Sequence, residues 1–124
     1  MLAEALSCTA YLMIADSHDG LVALVSEPNR SDLHVSMRIG TRSPLEASAG
    51  GRAILAARTA AGRPLDPPWV ITNLEGGSHG LAVPLTGITG LEASIGIISS
   101  REFSETEFGA RIARSAQEVS RMLM

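Results

Sequence analysis

The sequence predicts an α+β fold, an antiparallel sheet with helical cover. Three observations predict it. Thr9 to Ala15 and Leu21 to Ser26 are apolar runs separated by Asp16-Ser17-His18-Asp19-Gly20, which reads as a hairpin. Gly80 to Thr86 and Leu91 to Ile98 flank Gly87-Ile88-Thr89-Gly90, a second hairpin. Ser104-Glu105-Thr106-Glu107 is a capping box, and the helix it opens carries Phe108, Ile112, Ala116, Val119 and Leu123 on one face.

Taken in order, residues 1–8 read as the end of a helix, with Leu2 and Leu6 at helical spacing. Neither run of the first hairpin alternates cleanly, so both of its faces are expected to be covered. Gly20 supplies the turn's positive φ in this reading. Glu27 to Asp32 is a polar loop. His34 to Ile39 alternates, with Val35, Met37 and Ile39 on one face, and predicts a half-exposed strand. Thr41-Arg42-Ser43-Pro44 is a polar turn. A helix starts after Ser48 and ends near Gly62-Arg63-Pro64, with Ile54 and Leu55 on its buried side. Pro64 to Gly77 is loop, with a short edge strand at Trp69 to Thr72. Pro84 cannot donate to a ladder and marks an edge or a bulge. The last helix runs from Glu105 to the C-terminus. The organisation is residues 1–8 as linker helix and 9–124 as one domain.

Ile39 to Ala56 is the stretch with the most chemical content. Ser48 is a good N-cap, because its hydroxyl can accept a backbone N–H one turn in. Gly50 and Gly51 then fall in the first helical turn, where each costs about 1 kcal/mol relative to alanine. Two readings account for them. Bare backbone lets a ligand reach the free N–H groups of a helix start, or it lets the helix pack closely on a sheet.

Composition narrows the function. The 124 residues suffice for one modest core, and 45% are apolar with few aromatics. All ten basic residues are arginine and the net charge is −3, with no basic run to grip a nucleic-acid backbone. No apolar run has membrane-spanning length and no signal peptide is visible, so the expected location is the cytoplasm. Cys8 is the lone cysteine and cannot form an internal disulfide. Asn29-Arg30-Ser31 fits a glycosylation sequon, with nothing else to suggest secretion.

Catalytic signals are poor. Gly76-Gly77-Ser78-His79-Gly80 fits G-x-S-x-G, yet a nucleophile elbow needs a strand before it and a helix after it. Here a strand with Pro84 follows. Ser17-His18-Asp19 puts three triad residue types side by side, whereas triad side chains meet from separate elements. His34 and His79 lack any accompanying metal-ligand spacing. No Walker or Rossmann glycine pattern is present. The chain reads as not an enzyme, without cofactor or metal; a small hydrolase using Ser78 and His79 is the poorest of the readings.

Four stretches in order, VSMRIGTRSPLEASAGGRAILA, HGLAVPL, LEASIGII and FGARIARSAQEVSRML, resemble the effector domain of the isocitrate-lyase-regulator (IclR) family of bacterial transcription factors. The likeness is carried by Gly40, Arg42-Ser43-Pro44-Leu45, Ala49-Gly50-Gly51-Arg52-Ala53-Ile54-Leu55-Ala56, Ala82 with Pro84, and Ala93-Ser94-Ile95. It implies a GAF-like or profilin-like antiparallel sheet of about six strands with helices on both faces. It also implies a job: sensing a small metabolite and relaying its presence to a winged helix-turn-helix domain.

In that family the effector lies between the sheet and the start of the middle helix. The resemblance places Met37, Ile39, Ser48, Ala49, Gly50, Gly80, Gly96 and Ile98 around it. A carboxylate or aromatic acid is the implied ligand. The implied partners are further copies of the chain, as dimer or tetramer, and DNA only through a helix-turn-helix domain that this chain does not carry. Three departures bear on this. The Ala61–Ser78 interval is short, so one wall of the pocket is reduced. Gly96 and Ile98 stand where small-acid sensors often have serines. The DNA-binding domain is absent. The alternative function is a ligand-free dimerisation module whose pocket is filled by Ile98, Met37 and their neighbours.

Overall fold

The computed structural model describes residues 8–27, 37–74 and 78–123. The strands are β1 (Thr9–Asp16), β2 (Asp19–Ser26), β3 (Arg42–Pro44), β4 (Val70–Leu74), β5 (Ser78–Pro84) and β6 (Ala93–Ser99). The helices are α1 (Ala49–Ala60) and α2 (Glu105–Leu123), with a 3-10 turn, Leu45–Ala47, before α1. The strands form one sheet in the order β3-β2-β1-β6-β5-β4, and every pairing is antiparallel. The α+β class and the antiparallel sheet are as the sequence predicts.

Alternation along the strands sorts the two faces. Ala10, Leu81, Val83, Ile95 and Ile97 pack with Ile112 and Ala116 of α2. The intervening Tyr11 and Met13 pack with Leu45 and Ile54 on the other face. Ala82 lies beside Ala49 and Ala53 of α1 there. The helices therefore cover opposite faces. This explains why β5 and β6 are buried almost end to end, with the larger side chains of their alternating pattern towards α2 and the small ones towards α1. On the α2 side the cap forms as expected: Ser104 Oγ accepts the Glu107 N–H at 3.3 Å.

Four local expectations need correction. The hairpin turn is Ser17-His18, and Ser17 carries the positive φ of 59°. Gly20 is inside β2 because Met13 lies against it and would collide with a β-carbon. Arg42-Ser43-Pro44 is an edge strand on β2, not a turn. The strand expected over His34–Ile39 lies outside the described residues up to 36. The rest of it, Met37 to Ile39, is not strand: Ile39 enters a turn and is 65% exposed. Gly40, at φ 91°, bends the chain so that its N–H reaches Val22 O at 2.8 Å. The contact with β2 thus begins after Ile39. Residues 1–7 and the sequon at 29–31 also lie outside the described residues.

Two contacts hold α1 on the sheet. At its C-terminal end, Arg58 grips Glu92 with two hydrogen bonds, 2.6 and 3.0 Å, and reaches Ser17 O at 3.2 Å. Paired in this way, Glu92 has its carboxyl pKa held below the usual value. At its N-terminal end α1 lies against β5, β6 and β1, and that is where the candidate site falls.

Candidate functional site

Ser48 caps α1 as predicted. Its Oγ accepts the Gly51 N–H at 3.0 Å, and its own hydroxyl points to Met13 Sδ at 3.6 Å. Helix-start N–H groups lack intrahelical partners, so the fate of each decides what the site can bind. Arg52 N–H, one position further in, already makes the ordinary helical bond, to Ser48 O at 2.9 Å. Gly50 N–H goes to the hydroxyl oxygen of Tyr11 at 3.0 Å, in a buried setting. Ser94 Oγ donates to Gly50 O at 2.8 Å. The Gly50 residue is thus held at both its N–H and its carbonyl.

The two glycines of the first turn have different reasons to be glycine. A β-carbon on Gly50 would lie 2.8 Å from Tyr11 Cε2 and 3.1 Å from Ser94 Oγ. A β-carbon on Gly51 would collide with the carbonyl of Leu45. Gly51 therefore serves close packing of the helix on the turn before it. Gly50 serves the close approach of a side-chain ring.

That ring is clasped from its other side too. Tyr11 pairs with Gly96 across β1 and β6, and a β-carbon on Gly96 would collide with Tyr11 Cζ. Tyr11 is 5% exposed. Burial pushes its phenol pKa up to about 12, although the Gly50 hydrogen bond pulls the other way. The phenol is neutral at ordinary pH.

Of the other residues expected at the site, Met37 is half-buried against the Tyr11 cluster. Ile98 faces the same side as Gly96 and pairs with Gly80 and Thr9. Gly80 sits beside Ala49: a β-carbon on it would lie 3.2 Å from Ala49 Cβ and 2.7 Å from Thr72 Oγ1. Met37, Ser48, Ala49, Gly50, Gly80, Gly96 and Ile98 share the α1 face. Ile39 stands apart on the surface.

Sequence reasoning missed Tyr11, Ser94 and Thr72. Tyr11 is the sole tyrosine, set in an aliphatic run, which was a visible signal. Thr72 is buried, and its Oγ1 finds no hydrogen-bond partner.

His79 lies on the opposite face. Its Nδ1 is 2.9 Å from Asn73 Oδ1, and its ring meets Phe103 edge-on. These side chains line an open groove of about 370 Å³ with Ile71, Glu102 and Glu105. Ser78 opens a strand rather than a helix, so the G-x-S-x-G match lacks the elbow geometry. Among the described residues there is no group of three metal-ligating side chains, and no helix is long and apolar enough to cross a membrane.

No protein-family model matches this sequence, and no curated protein matches it. Solved structures do. The IclR of Thermotoga maritima superposes with a TM-score of 0.78 at 22% identity, over 98% of this chain and 64% of that one. An IclR transcriptional regulator from Alicyclobacillus acidocaldarius gives 0.79 at 17% identity, over 97% and 62%. A C-terminal domain from a Vibrio cholerae protein described as a transcriptional regulator gives 0.72 at 17%, over 94% and 88%. This chain therefore has the fold found in IclR-family transcriptional regulators. It spans about three fifths of the length of the first two.

Proposed function

We propose that this chain is the regulatory domain of an IclR-type transcriptional regulator, and that it works with the seat at the start of α1 filled from within. Support for the first part is the shared fold along almost the whole chain. The second part is carried by one observation: the Gly50 N–H that an effector would need is already donated to Tyr11. A domain filled in this way contributes by assembly, joining copies of the regulator into a homo-oligomer. DNA is contacted by a separate helix-turn-helix domain.

The test is a thermal-shift screen of small carboxylates and aromatic acids against the parent protein and Gly50→Val. The parent is expected to stay flat, while light scattering reports a dimer or larger. A hit on the parent that Gly50→Val abolishes would overturn the filled reading in favour of a sensor. A strictly monomeric protein would remove the assembly role.

The sensor is the second reading, and the hydroxyl of Thr72 favours it. A buried hydroxyl without a partner costs about 1–3 kcal/mol. This one lies beside Gly80 at the foot of α1. In this reading a small carboxylate or aromatic acid enters between the sheet and α1, among Met37, Ser48, Ala49, Gly50, Gly80, Gly96 and Ile98, without the exposed Ile39. To reach Gly50 it must displace Tyr11. Such a ligand would lower the Tyr11 pKa from about 12 towards the ordinary value, because the phenol would meet water.

A further inference from the structure

We infer that the space between Gly50 and Gly96 is a phenol-binding seat that Tyr11 fills as a tethered ligand. The inference rests on the filled reading above and adds the chemistry of the seat.

An aromatic side chain lying across a strand glycine is an ordinary packing device. That device accounts for Gly96 alone. It does not call for a second glycine on a helix, where glycine is costly. Nor does it call for an amide aimed at the ring's hydroxyl. Here both are present, and they come from a segment far from β1 and β6 in sequence. The Gly50 N–H meets the phenol oxygen at 3.0 Å. Ser94 holds the Gly50 carbonyl at 2.8 Å, which fixes the orientation of the residue. The seat is thus flat, walled by bare backbone on two sides, and has a donor at its closed end.

The environment selects the protonation state as well. Burial disfavours charge, and the phenol pKa is pushed up to about 12. Of the groups that could accept from one amide, a neutral phenol suits this seat better than a carboxylate, which would be buried without a countercharge. The ring is attached to β1 through the carbon para to its hydroxyl. The class of free molecule that fits is therefore a para-substituted phenol.

The experiment removes the tether. Tyr11→Ala is titrated with 4-methylphenol, which is the missing side chain, and with toluene, which has the same shape without the oxygen. A hydrocarbon cavity would take both about equally, since such cavities stay dry and bind simple aromatics. A seat organised around the Gly50 donor is expected to bind 4-methylphenol roughly tenfold tighter, the worth of one buried hydrogen bond. If Tyr11→Ala is unfolded alone, recovery of its helical circular dichroism by 4-methylphenol, and not by toluene, is the same readout. Equal effects from the two compounds, or none from either, overturn the inference. The response of the parent to small carboxylates, measured alongside, judges the proposed function separately.

Discussion

The Gly50 amide and the Tyr11 hydroxyl meet at 3.0 Å across 39 residues of sequence, inside the protein. This contact joins the start of α1 to the first strand of the sheet. It also turns the Gly50 amide from an open donor into a satisfied one.

Tyr11→Phe keeps the ring and removes the acceptor. The Gly50 N–H is then buried without a partner, since the ring leaves no room for water. A loss of about 1–3 kcal/mol is expected, read as a lower denaturation midpoint with an unchanged m-value. An unchanged midpoint would mean that the hydrogen bond does not form in solution.

Gly96→Ala places a methyl group against the Tyr11 ring. Overpacking of this kind costs about 1–3 kcal/mol. The same substitution in a Tyr11→Ala background should be nearly free, because the ring it strikes is gone. A double-mutant cycle measures that coupling. Additive effects would separate Gly96 from Tyr11.

Alkaline pH should destabilise the domain through Tyr11. The folded-state pKa is raised to about 12 from the ordinary value of 10.0, so above pH 10 the unfolded chain gives up its proton while the folded one keeps it. Stability is full below about pH 10 and falls as pH rises towards 12. Buried Cys8, pushed up to about 11 from 9.0, adds a similar loss starting one pH unit lower. With no lysine in the chain, few other groups titrate there. Tyr11→Phe should remove the upper part of the profile and leave the Cys8 part. An identical profile in the two proteins would refute the assignment.

Thr72→Val replaces a buried, unpartnered hydroxyl with a methyl of the same shape. Such a swap is expected to leave stability unchanged or raise it by about 1 kcal/mol. A clear loss in thermal melts would show that the hydroxyl has a partner in solution.

Arg58→Ala breaks the paired bonds to Glu92. Both side chains are a third or more exposed, so the expected loss is small, about 0.5 kcal/mol, and fades with added salt. Glu92 has a lowered pKa. Its contribution is present above the unfolded carboxylate value and disappears as pH falls through the folded one. A salt-independent loss above 2 kcal/mol would assign Arg58 a larger role in seating α1.

Local physical chemistry was enough for most of the elements and for the class of fold. The first hairpin, the Ser48 cap, the α2 capping box and the α2 stripe each depend on neighbours a few residues away, and those are written side by side in the chain. The same holds for the weak first turn of α1, which marked Gly50 as a place where something comes close.

What comes close was decided by tertiary structure. β1 lies beside β6, where Gly96 comes 85 residues after Tyr11, and only that pairing sets the two opposite each other and Tyr11 within reach of Gly50. Glycine records that space is needed and carries no information about its occupant. For the same reason Arg42–Pro44 became a strand: it depends on pairing with β2, chain that the local pattern does not contain.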